Sequence, residues 1–465
     1  MRLGRRVLLL GLVVASLAPA SALGARTLAV TTAVTWMPGA RPAGTPVRYD
    51  KVGVIKVGYY GARNVLVLEP GTSAGAAYFV PLARWILSKL PGWQVWSVER
   101  RENLLEDQSA LDQAKQGRAG TQKVFNYYLG FITNKSIKHH FAVSRYLGLQ
   151  YPKSWGMAVA VQDLRRVITA ARKLGGKVVL GGHSLGGSVV TAYATWNFGG
   201  QPGARQLAGL VYIDGGSGPP ETGAQAQAAL SQLNQPKASA WLSFGGIGAP
   251  FAGVFNATGS LGVLTAPNAR SLGQQFPLLP ADLKPPVPVT NAGQYGYALN
   301  VGTSPSSLIA AQGHLGKGVG PAGPNGLHGW DGRGALTPLR RFAQMFAGAG
   351  IVGADGTEWY FPQRLTDDTA AVGNGVSNPA QQVLGVRSTM ARRLPHRLRI
   401  YAFGAALGDG RVLAGAQQLA QLAHIPKRNL VLINRAGTYA HNDPAGAFPR
   451  NVFFSHLIPF LRRLG

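Results

Sequence analysis

The eighteen residues "KVVLGGHSLGGSVVTAYA", 177–194, constrain the chain more than any other stretch: a β-like apolar run, a glycine-crowded turn and an apolar helix-like run. A strand that passes straight into a helix through so short a turn pushes its apex residue into strained backbone with an exposed side chain. Flanking glycines leave room for that conformation. Ser184 is the apex, inside the pattern Gly-x-Ser-x-Gly at 182–186. The pattern occurs again as "GTSAG" at 71–75, also between a β-like and a helix-like stretch. In a chain with 63 glycines the five residues alone say little, and the strand–turn–helix setting is what makes them specific.

Around these turns, strand and helix patterns alternate. "KVGVIKVGYYGARNVLVLEPG" reads as two strands joined by a Gly-containing turn, and "AGAAYFVPLARWILSKL" has helical spacing. The strand "GWQVWSVER" leads into a polar and aromatic insertion, about 101–155, and then into the amphipathic "MAVAVQDLRRVITAARKL". After "LAGLVYID", which ends at Asp214, the alternation stops; it resumes near Leu398 and runs to a terminal helix, "FFSHLIPFLRRL". Such alternation predicts an α/β fold, a mostly parallel sheet with helices on both faces, built from 51–216 and 396–465. The interval 217–395 holds 17 of the 30 prolines, a density expected of a linker. Its many Trp, Tyr and Phe argue instead for a folded, irregular cap inserted into the sheet domain.

The chain opens with Arg2, Arg5 and Arg6, a short apolar run and small residues, which predicts a leader over 1–22 and export to the cell exterior. No later stretch is apolar enough to span a bilayer. The absence of cysteine excludes disulfides, thiol catalysis and thiolate metal sites. Formal charge is +28, and a mature chain without the leader's arginines would still favour an anionic surface or polymer. The basic residues are scattered and match no nucleic-acid motif, so a solubilising surface is the plainer expectation.

The "GHSLGG" turn at 182–187 and the order of elements around it resemble the α/β-hydrolase family, whose serine esterases and lipases have such a turn after the fifth strand. The resemblance implies that Ser184 attacks the substrate. It also implies that the earlier turn lies beside Ser184 and lends a backbone N–H, at Thr72, to an oxyanion hole completed by Leu185. The family's usual His-Gly pair is here Pro70-Gly71. A serine hydroxyl needs a base within reach. Of nine histidines, His441 lies in the loop "NRAGTYAHNDP" after the last strand, at the sheet edge where Ser184 also falls. His183 is expected to point away from Ser184. For the acid that orients the base, Asp409 in "FGAALGDGRV" is the first choice and Asp214 the alternative, with Asp443 expected to fix the histidine's loop.

These readings predict an exported serine hydrolase that cleaves carboxylic esters through an acyl-enzyme, with a small-molecule substrate and no metal or organic cofactor implied. Two alternatives stand beside it. An exported aminopeptidase or amidase of the same fold would use cap carboxylates among Glu221, Asp331, Asp355, Glu358, Asp367 and Asp368. A non-catalytic basic binding module would keep the fold alone.

Overall fold

The computed structural model describes residues 28–348 and 350–465; the expected leader, 1–22, lies outside them. Nine strands form one sheet: β1 (Leu28–Val30), β2 (Thr35–Pro38), β3 (Lys51–Tyr59), β4 (Asn64–Glu69), β5 (Trp93–Glu99), β6 (Val178–His183), β7 (Gly209–Ile213), β10 (Arg399–Gly404) and β11 (Leu430–Asn434). The remaining pair, β8 (Gly318–Ala322) and β9 (His328–Asp331), is a separate antiparallel hairpin. The order across the main sheet is β1-β3-β5-β4-β6-β7-β10-β11, with β2 also on β3. Strands β5 through β11 of that order run parallel, and β3 meets β5 antiparallel.

Although β3 and β4 follow one another in sequence, they do not pair; β5 lies between them. The reason is burial. In β4 both Val65 and Val67 on one face and Leu66 and Leu68 on the other are fully buried, which suits a central parallel strand. Beyond the expected elements, β1 and β2 lie in the polar stretch before Asp50, on the antiparallel margin of the sheet.

Each face of the sheet packs against helices. On one side α1 (Val80–Lys89) and a late helix, Val452–Arg462, cover Leu66, Leu68, Val179 and Val211. On the other, α2 (Met157–Arg172), α3 (Leu185–Thr195) and Asp409–Leu422 cover Val65, Val67, Leu180 and Leu210.

The interval 217–395 is folded and divided. Its ends, including Ala226, Ala380 and Leu384, join the second of these cores, whereas Phe342, Met345 and Phe346 join the first. A third core unites the middle of this interval with the 101–155 insertion, packing Trp241, Val254, Leu261 and Trp359 against Leu105, Leu111, Val124 and Tyr128. Insertion and cap therefore share one interior, a contact across more than a hundred residues that no local pattern signals.

Candidate active site

Ser184 sits between β6 and α3 with φ 57° and ψ −129°, a left-handed conformation that a non-glycine residue adopts only under constraint. The constraint is close packing. A Cβ placed on Gly186 would lie 2.3 Å from the Glu69 carbonyl oxygen, so only glycine lets α3 start this near β4. A Cβ on Gly71 would lie 2.6 Å from the Ser184 Cβ, which places the "GTSAG" turn directly against the serine.

That first turn is held from beneath. The buried Arg100 guanidinium donates to the carbonyls of Pro70 (3.0 Å), Gly71 (2.7 Å) and Ala74 (2.9 Å). It also pairs with Glu69 and Glu358. The Ser73 carbonyl accepts from Glu358 N, and Ala76 N donates to the buried Glu99. With its carbonyls occupied on the inner side, the turn leaves Thr72 N–H without an acceptor among the described residues, and Leu185 N–H likewise. Burial, against the pull of Arg100, pushes the Glu69 carboxyl up to about 7, and burial carries Glu99 to about 8.

His441 is buried in the loop after β11, and its Nδ1 bonds Asp214 Oδ2 at 2.6 Å. Asp214 ends β7, next to β6 in register with Ile213 opposite His183, so it reaches the edge one strand from Ser184. Three backbone N–H groups of the following strand's loop, Ala405, Gly408 and Leu407, donate to its carboxylate at 2.6, 2.9 and 3.2 Å. Burial pushes this carboxyl up, but the bond and charge of His441 and the Ala405 N–H outweigh it and hold it below the usual carboxylate range. Ser184 Oγ makes no hydrogen bond among the described residues.

The geometry does not bring the expected first choice for the acid to His441. Asp409 heads its helix with φ 42°, a side chain about half exposed (48%), and accepts from Arg411 N at 2.8 Å. It makes no contact with His441. The loop carrying Asp409 acts instead through its backbone, as the set of N–H donors that keeps Asp214 ionised.

Two further residues carry the histidine loop. Asp443 accepts from His314 Nδ1 (2.6 Å), Thr337 Oγ1 (2.7 Å) and Ala440 N (2.7 Å). His183 does not merely point away from Ser184. Its Nε2 donates to the His441 carbonyl at 2.9 Å, and the two rings lie 4.3 Å apart. Burial, and then the neighbouring His441, push the His183 pKa down to about 3, so it stands neutral. Neither this contact nor the Arg100 clamp has a local sequence signature, because each joins segments distant in the chain.

The alpha/beta hydrolase family model matches residues 117–303, which include the Ser184 turn and Asp214. No curated protein matches the chain in sequence. Among solved structures, an alpha/beta hydrolase fold protein from Nakamurella multipartita is 14% identical, covering 93% of this chain and 100% of its own, at a TM-score of 0.38. The thioesterase domain from the curacin biosynthetic pathway is 12% identical, with 92% and 99% covered and a TM-score of 0.38. A soluble variant of monoglyceride lipase from Saccharomyces cerevisiae is 13% identical, with 94% and 95% covered and a TM-score of 0.37. These likenesses lie below a TM-score of 0.5, and the assignment rests on strand order and turn geometry. The parallel sheet and the strand–turn–helix at Ser184 give the chain a mostly parallel α/β fold with the strand order of an α/β hydrolase, and its residues 117–303 are similar to the alpha/beta hydrolase family.

Proposed function

We propose that this protein is an exported serine hydrolase that cleaves small carboxylic esters. The observation that carries the reading is the convergence of a strained Ser184 with the His441–Asp214 pair on one sheet edge. Asp214 fixes the tautomer in which His441 Nδ1 bears hydrogen, leaving Nε2 as the base. Ser184 Oγ then gives its proton to Nε2 as it attacks the ester carbonyl. The oxygen that gains charge is received by the N–H groups of Thr72 and Leu185, a contribution worth several kcal/mol of barrier, about 3 for each donor. Collapse of the tetrahedral species expels the alcohol, which takes the proton from His441. Water activated by the same nitrogen releases the acid from Ser184.

An apolar cavity of about 150 Å³ supports a hydrophobic substrate group. Phe125, Phe255, Phe276 and Tyr295 line it, together with Leu308 and Ala311 of the segment that adjoins the histidine loop through Ala310 O and Asn442 Nδ2. A dry cavity of this size holds a benzene-sized group, so a short acyl chain or an aromatic ring suits it. The aminopeptidase alternative is weakened because four of the six cap carboxylates it would use are engaged elsewhere, Glu358 on Arg100, Asp355 on Thr357, Asp368 on Arg364 and Asp331 on Arg333, and a fifth, Asp367, accepts from Gln363, which leaves Glu221 alone.

The test is a panel of p-nitrophenyl esters from acetate to palmitate beside aminoacyl p-nitroanilides, with fluorophosphonate labelling of wild type. Turnover of short esters and labelling of the protein are expected. Anilide turnover exceeding ester turnover would replace the ester reading, and absence of both turnover and labelling would end the enzymatic one.

A further inference from the structure

The 18 carboxylates of this basic chain are placed unevenly. Ten of them are buried: Asp50, Glu69, Glu99, Glu102 and Asp163 near Arg101 and the first turn, Asp214 and Asp443 under the Ser184 edge, and Asp355, Glu358 and Asp368 in the cap. Of the rest only Asp282 is exposed, the others being half-buried. The outer surface is therefore more cationic than the net charge alone conveys.

The cations are most one-sided at the amino-terminal edge of the parallel strands, opposite Ser184. Each of the six strands is preceded within four residues by an exposed Lys or Arg: Arg63 before β4, Lys89 before β5, Lys177 before β6, Arg205 before β7, Arg397 before β10 and Arg428 before β11. The segments that carry them, 60–63, 89–92, 172–177, 196–208, 391–398 and 423–429, contain no Asp or Glu. Helix dipoles account for cations in last turns, such as Lys89 and Arg172. They do not account for Lys177 or Arg397, which follow the helices, nor for the absence of Asp and Glu from these segments.

We propose that this edge is a docking face for an anionic lipid bilayer. At a strand spacing of about 4.8 Å the six strands present a row about 24 Å wide, broad enough to meet many headgroups at once. Tyr60, 96% exposed in the turn between β3 and β4, stands on the same edge, and tyrosine is a side chain suited to the headgroup level. A single exposed aromatic suits that interface better than single-stranded nucleic acid, whose bases stack on several. The chain also enters the described structure here, since Leu28 pairs with Tyr59. No helix among the described residues is long and apolar enough to cross a membrane, so attachment is by charge. Docked this way, the protein holds its Ser184 edge away from the bilayer, toward substrates in the surrounding phase. The docking face does not depend on the proposed chemistry.

The experiment is cosedimentation of the full mature chain with phosphatidylcholine vesicles, with and without 30% phosphatidylglycerol, at low salt and at about 1 M salt, where screening shortens to about 3 Å. Binding to the anionic vesicles alone, released by salt, is expected. Each surface cation contributes about fivefold to such binding, so the Lys177→Glu/Arg397→Glu/Arg428→Glu variant should lose at least about a hundredfold. A control with the same change in net charge, Lys135→Glu/Lys237→Glu/Lys317→Glu, should lose less than about threefold; circular dichroism verifies that both fold. Equal losses in the two variants would overturn the docking face. So would binding to soluble polyphosphate or DNA without binding to vesicles, since the partner would then be a polymer.

Discussion

The turns at 71–75 and 182–186 share a five-residue pattern, and both hold their serine at positive φ, 53° at Ser73 and 57° at Ser184. What separates them is where the backbone polar groups go. In the first turn the carbonyls of Pro70, Gly71, Ser73 and Ala74 are all taken up on the inner side, by Arg100 and Glu358 N. In the second, the apex leads into α3, and the neighbouring His183 supports the histidine loop. One pattern thus sits in two settings: a turn whose carbonyls are clamped from the inner side, and a turn at the start of a helix. A Gly-x-Ser-x-Gly match records the strain and leaves the purpose to the surroundings.

The widest separation between the turns should appear on removing each hydroxyl. Ser184→Ala is expected to lower kcat by about 10⁶, the scale seen when a serine nucleophile is deleted, and to abolish fluorophosphonate labelling. Ser73→Ala should stay within about threefold of wild type, because that turn contributes backbone. Steady-state kinetics on one short ester checks both, and a reversed ranking would exchange the roles of the two copies.

Next in size is the acid. Asp214→Asn leaves the His441 tautomer unfixed and is expected to cost about 10⁴ in kcat. Asp409→Asn, on a half-exposed side chain bonded to Arg411, should change kcat by less than about twofold. Melting curves must accompany the comparison, since Asp214 is buried and receives three backbone N–H groups.

This pair of aspartates also marks where sequence reading stops. The Ser184 turn and the His441 loop are local: each is announced by a strand, a loop and its place in chain order. Which of Asp214 and Asp409 meets His441 depends on neighbours. β7 lies between β6 and β10, so the loop after β10 closes over the end of β7 and lends it N–H donors. Both aspartates look alike as strand-end acids until that adjacency is known. Arg100 is less legible still: it follows β5 as one more charged residue, and only the fold brings it beneath a turn some 30 positions earlier. The even run of strand and helix gave no sign that the 101–155 insertion and the cap share an interior, because that packing is made by scattered aromatics.

The clamp itself supplies the third test of the comparison. Arg100→Gln, combined with Glu69→Gln and Glu358→Gln to avoid stranding two buried carboxylates it pairs with, should free the carbonyls of Pro70, Gly71 and Ala74 and misplace Thr72 N–H. A loss of about a hundredfold in kcat with KM changed less than about threefold is expected, the cost of one mispositioned oxyanion donor. A proportionate rise in KM with kcat intact would make Arg100 a residue of substrate binding instead. Among the described residues no cation holds the carbonyls of the Ser184 turn in this way, so no single buried cation should have a matching effect there.

The smallest expected effect falls on the residue before each serine. Thr72 is partly exposed, whereas His183 is buried and neutral, with its pKa pushed to about 3 by burial and by His441. In the unfolded chain a histidine binds its proton near 6.5. Between those values the unfolded state holds more protons than the folded one, so stability must rise with pH across that window and fall away as the solution is acidified. One group contributes at most about 1.4 kcal/mol per pH unit, hence about 2 to 3 kcal/mol between pH 6.5 and 4.5. Glu99, raised to about 8 by burial, acts in the opposite sense, since it keeps a proton that the unfolded chain releases above about 4.5. Asp214, held low, adds stability that is lost only toward its own lower range. Both are present in wild type and in His183→Gln and cancel in the difference. Urea unfolding of the two proteins at pH 4.5, 5.5, 6.5 and 7.5 should therefore give curves that run parallel above 6.5 and converge below it, as wild type alone loses the cost-free neutrality of His183. Thr72→Ser, in the other turn, should show no such pH-dependent difference. Parallel curves for His183→Gln throughout would mean that His183 accepts a proton inside the fold, and that the His441 carbonyl is held by a charged ring.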